Sequence, residues 1–276
     1  LHLAVHVATS VAKLSLARGL AHLKDHLTRA ADNTVLRLAE ASGRTLGNRR
    51  QHLEAAYAEN QEVQSDLLLL RSRGVPVPVV LRGPSGGGVR ASSFHSTNPE
   101  PWLSQAPGLK VICPAFPSDA KGLLKSAIRD DNPCVFLEHK WIYRRIKETV
   151  SDDPDHLVPI GKADVKREGT DVSVITHGMM VHLALEAAET LATEGIAVEV
   201  LDLRTVQPLD EEAILGTVTK TSRAIALSES QRYLSTAAEV ASLIAEEAFE
   251  SLDAPVVRLT PPHVPVPFSP PLEDAY

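Results

Sequence analysis

The sequence predicts an α/β protein in which parallel sheets are covered by helices on both faces, three layers in all, behind a helical N-terminal segment. Three observations lead there. Apolar strand-like runs alternate with helix-periodic runs from Gly108 to Leu137 and again from Thr170 to Leu259, the pattern of parallel strands joined by helical crossovers. The first 70 residues lack that alternation, contain no proline and are dominated by Ala, Leu, Arg, His and Gln. The chain has 276 residues, 43% of them hydrophobic, and a formal net charge of -7, which allows two ordinary cores and disfavours a basic binding surface. Neither nucleic acid nor membrane is expected as a partner.

Residues 1–70 read as two or three helices. Leu16, Leu20, Leu23 and Leu27 share one helical face, with breaks at Asp32-Asn33, Ser42-Gly43 and Gly47-Asn48. His22 and His26 have the spacing of two metal ligands on a helix. Only Leu23, Lys24 and Asp25 lie between them and no third ligand is evident, so a solvated face is the expectation. Val75 to Arg82 is β-branched, with prolines only in its first half, and reads as a strand. Gly83, Gly86, Gly87 and Gly88 follow and lead to His95, which is flanked by Ser96 and Thr97 and closed by the turn Asn98-Pro99. An imidazole at that place can move protons.

Leu109 to Cys113 reads as a strand. Ser118 is the expected N-cap of a helix with an apolar face of Ala120, Leu123, Leu124, Ala127 and Ile128, stopped by Asp130, Asp131 and Asn132. Cys134 to Leu137 is the next strand. The only cysteines, Cys113 and Cys134, lie in apolar runs, which suggests buried free thiols in a reducing compartment, cytoplasm or organelle matrix. Trp141 to Gly169 is charged and irregular and reads as a connection between domains. Beyond it come a strand at Val172–Thr176, a helix at Met180–Glu194, a strand at Ala197–Leu203 and a helix capped by Asp210. A strand at Arg223–Leu227, a helix at Thr236–Glu250 and a strand at Val256–Leu259 complete the series. In such a sheet the carboxyl ends of strands place His177-Gly178, Arg204 and Ser228-Glu229 as ligand contacts, with turn and interface residues the favoured alternative. Beginning at Leu1, the chain reads as a fragment.

Several motifs carry a family resemblance. RGPSGGGVR, HSTNPEPW and PGLKVICPAFPSDAKGLLKSAIRDDNPCVFLEHK, followed by VLDLRTVQPLD and VPVPFSPPLEDAY, closely resemble the beta subunit of the thiamine-diphosphate-dependent 2-oxo acid dehydrogenases of pyruvate, branched-chain and acetoin type. The resemblance runs from about Arg71 to Tyr276. It implies the later half of a cofactor-pyrimidine domain at 71–150, a linker at 151–169 and a transketolase C-terminal-type domain at 170–276, with 1–70 unmatched. His95 matches the family histidine that assists proton movement and acyl transfer to a lipoyl group. A potassium site is implied at Val77, Val79 and Val80 and at Ala127, Asp130 and Asn132.

The resemblance further implies an alpha subunit, joined in a heterotetramer, that carries Mg²⁺ and the diphosphate site, since no GDG occurs in this chain. A lipoyl acyltransferase core is the implied acceptor. The family glutamate that activates the aminopyrimidine is not placed; Glu40, in LAEASG, reads as a helix-surface carboxylate. The activity implied is oxidative decarboxylation of a 2-oxo acid, branched-chain favoured, in the cytoplasm or, in a eukaryote, the mitochondrial matrix. The alternative is a non-catalytic assembly or docking subunit that has lost part of the cofactor site. A nicotinamide enzyme is disfavoured, because GPSGGG lacks GxGxxG spacing and the acidic residue beyond it.

Overall fold

The computed structural model describes residues 76–276 together with Arg29 and Asn33, both helical. Asn33 is helical where a break at Asp32-Asn33 was expected, and the remaining expectations for 1–70, including His22, His26 and Glu40, lie outside the described residues. The chain divides into two units. One comprises Leu1–Arg82, Ala106–Leu109 and Ile128–Cys134, the other Gly83–Gln105, Lys110–Ala127 and Val135–Tyr276. Within the first, Val77 and Val79 are buried, the Val77 N–H donates to the Asp131 carbonyl at 2.8 Å, and the Cys134 N–H donates to the Val79 carbonyl at 2.8 Å.

The strand expected at Val75–Arg82 is shifted. It runs from Val80–Ser85 (β1), because Pro76 and Pro78 have no N–H to give to a ladder. Gly83 therefore belongs to the strand, against Leu137, and only Gly86 and Gly88 use positive φ, at 82° and 75°. Two short helices, Ser92–His95 (α1) and Glu100–Ser104 (α2), lead to Lys110–Ile112 (β2). The next helix, Pro117–Arg129 (α3), starts one residue before the expected cap. Pro117 suits the first turn, and Ser118 gives its N–H to Glu148 at 2.9 Å. Leu123 and Ala127 are buried as expected, whereas Ile128 is exposed. Cys134–His139 (β3) follows, and the first sheet has the order β1-β3-β2-β7, where β7 is Thr205–Gln207. That last strand was not foreseen. It pairs antiparallel with β2 through Val111 opposite Gln207, and Cys113 N–H donates to the Arg204 carbonyl at 2.8 Å.

The second sheet contains Asp164–Arg167 (β4), Val172–Thr176 (β5), Val198–Asp202 (β6), Ala224–Leu227 (β8) and Val257–Leu259 (β9) in the order β4-β6-β5-β8-β9. All neighbours are parallel except β4, an edge strand antiparallel to β6 inside the segment read as irregular. Neighbouring strand residues point to opposite faces, and the two cores divide accordingly. Val174 and Val200 face Met179–Ala192 (α4) through Val181, Ala184 and Ala188. Ile175 and Leu201 face Glu211–Thr221 (α5) and Thr236–Glu247 (α6) through Ile214, Val218, Val240 and Ile244. Three layers result, as expected. Asp210 caps α5 by accepting from Ala213 N, and Ser235 caps α6 by accepting from Ala238 N.

Candidate functional site

The site is built where β1 and β3 end. Residues 86–91 form a turn outside both sheets, and two carboxylates from distant parts of the chain take up three of its amides. Gly87 N–H donates to Glu229 Oε1 at 2.8 Å, Gly88 N–H to Glu273 Oε1 at 2.9 Å, and Arg90 N–H to Glu273 Oε2 at 2.9 Å. Glu229 follows β8, at the strand end that the sequence pointed to. Glu273 lies on the short helix Pro270–Ala275 (α7) and carries no local signal of such a role. The glycines are required by close approach. A Cβ on Gly86 would lie 1.9 Å from the His139 imidazole, and one on Gly88 would lie 2.7 Å from Trp141.

His139 closes β3 and is buried. The Trp141 N–H donates to its Nδ1 at 3.3 Å, which leaves Nε2 to carry the proton toward Glu229 Oε2 at 2.7 Å. Burial pushes the Glu229 carboxyl up. The hydrogen bonds from His139 and Gly87 outweigh it and hold the group below the ordinary carboxylate range. Lys140, the next residue, donates through Nζ to the Ser85 carbonyl at 3.1 Å and to the His95 carbonyl. Burial lowers its pKa, partly opposed by Glu229. The three residues after Glu138 thus pack against or bond the glycine turn and its flanks, and their position at a strand end is the signal that could have found them.

Beneath the turn lies a second group of polar side chains. Glu100 is 2% exposed and its carboxyl is pushed up to about 7 by burial, although Ser230 donates its hydroxyl to it. Burial lowers His177 to about 4, so the 3.9 Å approach of its Nε2 to Glu100 is not an ion pair at neutral pH. That nitrogen has no hydrogen-bond partner among the described residues. A cavity of about 20 Å³ touches Glu100, Cys113, His139, His177 and Glu229, room for one water. Cys113 and Cys134 are buried and not joined in a disulfide, and burial raises the Cys113 thiol. A larger cavity of about 460 Å³ is walled by Trp141, Met179, Met180, Leu183 and Leu227.

His95 ends α1 and is exposed, outside both cavities; the loop histidine of the sequence reading sits on a single helical turn. Of the potassium residues, Val77 and Val79 precede β1, Val80 opens it, and Ala127 is buried near the end of α3. Asp130 accepts from its neighbour Asn132 at 2.8 and 2.7 Å. Arg204 is a structural group: its guanidinium donates to Asp119 and to the carbonyls of Lys162 and Ala163, each at 3.0 Å. His177 is likewise enclosed, which favours the interface reading for both. Among the described residues no group of three His, Cys, Asp or Glu could hold a metal, and no helix is long and apolar enough to cross a membrane.

Comparison with known proteins agrees with this architecture. Residues 63–145 match the transketolase pyrimidine binding domain and residues 161–276 the transketolase C-terminal domain. The 2-oxoisovalerate dehydrogenase subunit beta of Bacillus subtilis is 49% identical over 197 residues, covering 71% of this chain and 60% of that one. The pyruvate dehydrogenase E1 component subunit beta of Staphylococcus epidermidis is 43% identical over 222 residues, covering 79% and 68%. The acetoin:2,6-dichlorophenolindophenol oxidoreductase subunit beta of Cupriavidus necator is 46% identical over 199 residues, covering 72% and 58%. The chain thus spans 58–60% of the length of two of these relatives. A solved structure described as a split gene transketolase, inactive beta4 tetramer, shares the fold, with a TM-score of 0.59 at 23% identity over 76% of this chain and 68% of that one. Sequence, fold and relatives agree, and the chain belongs to the family of E1 beta subunits of the 2-oxo acid dehydrogenases.

Proposed function

We propose that this chain acts with an alpha subunit, as a heterotetramer, in the oxidative decarboxylation of a 2-oxo acid and the passage of the acyl unit to a lipoyl group of an acyltransferase core. The observation that supports it is the exposed His95, presented at the end of a helical turn by a glycine turn that carboxylates and a lysine hold in place. An imidazole meant for a cofactor shared between chains has to stand free of its own core, and His95 does. Thiamine diphosphate, when bound, supplies the electron sink for loss of carbon dioxide. His95 then holds or delivers a proton at the reacting carbon and at the departing acyl group, and its neighbours keep it oriented. In this reading Mg²⁺ and the diphosphate belong to the alpha side. We assign potassium to the carbonyls of Val77, Val79, Val80 and Ala127 with Asp130 and Asn132. The two buried thiols support a reducing cytoplasm, or matrix in a eukaryote. Among substrates a branched-chain 2-oxo acid comes first, with pyruvate and an acetoin-type substrate next.

The test is reconstitution with the cognate alpha subunit, followed by decarboxylation and lipoyl acylation with each candidate substrate, in potassium and in sodium. His95→Ala should leave melting unchanged, because an exposed side chain contributes little burial, and should lower lipoyl acylation about 10²-fold. An unimpaired acylation rate removes His95 from catalysis. An assembly that forms yet decarboxylates nothing makes the chain a non-catalytic assembly subunit.

A further inference from the structure

The turn before His95 is held in a shape that the backbone does not favour. Gly86 and Gly88 are at positive φ, and so are Arg90 at 58° and Ser92 at 61°, where a Cβ crowds the chain. Without outside partners such a segment samples other shapes, and the helical turn carrying His95 follows it directly. The partners are specific. Glu273 binds the amides of Gly88 and Arg90 with one oxygen each, and Arg90 returns the contact through its guanidinium to Glu273 at 3.2 Å, to the Pro270 carbonyl at 2.9 Å and to Asp274. Glu229 binds the amide of Gly87, and Lys140 ties the carbonyls of Ser85 and His95 at the two ends.

We infer that Glu273, together with Glu229, is a positioning residue for His95: a carboxylate from the C-terminal segment clamps the glycine turn and so sets where the imidazole stands. The inference rests on the catalytic reading of His95 given above. A carboxylate accepting two backbone N–H groups is the mirror of an anion held in a nest, and its oxygens, 2.9 Å from each amide, allow little play. The clamp also sits apart from the two hydrophobic clusters of the second sheet. Neither hydrophobic cluster of the second sheet includes a residue of 86–95 or of 270–275, so its loss should loosen the turn without unfolding the chain.

Glu273→Ala, Glu273→Gln and Arg90→Gln, each assembled with the alpha subunit, decide the matter through two measurements on the same preparation. One is hydrogen exchange of residues 86–98 by mass spectrometry, and the other is kcat and KM for the 2-oxo acid. Glu273→Ala should raise exchange there about 10-fold or more and lower kcat about 10-fold or more, while KM stays within about twofold. Glu273→Gln, which keeps one acceptor oxygen, should fall between Glu273→Ala and the parent, and it carries the test if the alanine variant fails to fold. Arg90→Gln leaves the backbone amides bound and should stay near the parent in exchange at Gly87 and Gly88. Parent-like exchange in Glu273→Ala overturns the clamp. Fast exchange with parent-like kcat overturns the positioning role and leaves a tie of structural value only. A parent assembly that decarboxylates no 2-oxo acid removes the positioning role along with the catalytic reading, while the exchange data still say whether the clamp exists.

Discussion

Glu100 shows what folding does to a carboxylate when it takes away water and returns only one hydroxyl and its own backbone N–H. With its pKa pushed up to about 7, folded Glu100 keeps a proton that the unfolded chain gives up above about pH 4.5. The folded state therefore holds more protons through that window, and its stability falls as pH rises from about 4.5 to about 7, by up to roughly 3 kcal/mol. His177 works in the opposite sense. Its lowered pKa means that the unfolded chain takes up a proton first, so that stability falls as pH drops from about 6.5 toward about 4. Glu100→Gln removes the first dependence and retains an oxygen for Ser230. Its melting temperature relative to the parent should rise by several degrees between about pH 5 and about pH 8. A pH-independent offset would mean that Glu100 is ionised in the folded chain throughout. Nothing near Glu100 in HSTNPEPW announces burial; its neighbours Asn98 and Pro99 read as a turn, and Ser230 is 130 residues away.

Helix α3 was legible in outline and wrong in detail, and the reason is the segment lying across it. Lys121 and Lys125 donate to the carbonyls of Ser151 and Pro154, and Ser126 donates its hydroxyl to Val158 at 2.6 Å, so the charged connection is packed along the helix. Gly122 makes this approach possible, since a Cβ there would lie 2.5 Å from Val158 Cγ2 and 2.8 Å from the Val158 nitrogen. Helix propensity alone says that Gly122→Ala stabilises by up to about 1 kcal/mol. The crowding says the opposite, and a destabilisation of about 1–3 kcal/mol is expected, read as a lowered urea midpoint with an unchanged slope. The caps at Asp210 and Ser235 show the converse case. There the sequence rule and the structure coincide, because an N-cap is closed within four residues and needs no distant partner.

Arg204 joins parts that local patterns treat separately: α3 through Asp119, the edge of β4 through the carbonyls of Lys162 and Ala163, and its own turn between β6 and β7. Its loss strands a buried Asp119 with Lys166 as the one remaining cation at hydrogen-bond distance among the described residues. Arg204→Ala should cost about 2–4 kcal/mol, and denaturant titration that found less than about 1 would show the ion pair to be marginal. From its own periodicity the chain specified the α/β class, the parallel order of helices and strands after Thr170, the burial of Cys113 and Cys134, and the strand-end position of Glu229. All of these follow from side chains within a turn or two of each other, where the 3.6 and 2.0 periods write burial directly into the residue order. What it did not specify is β4, β7, the grip of Glu273 on Gly88 and Arg90, and the enclosure of Glu100 and His177. Each of those depends on a partner 33 to 185 residues away, and the energy that selects the partner, a buried amide or carboxylate finding its complement, exists only after the sheets have packed and excluded water.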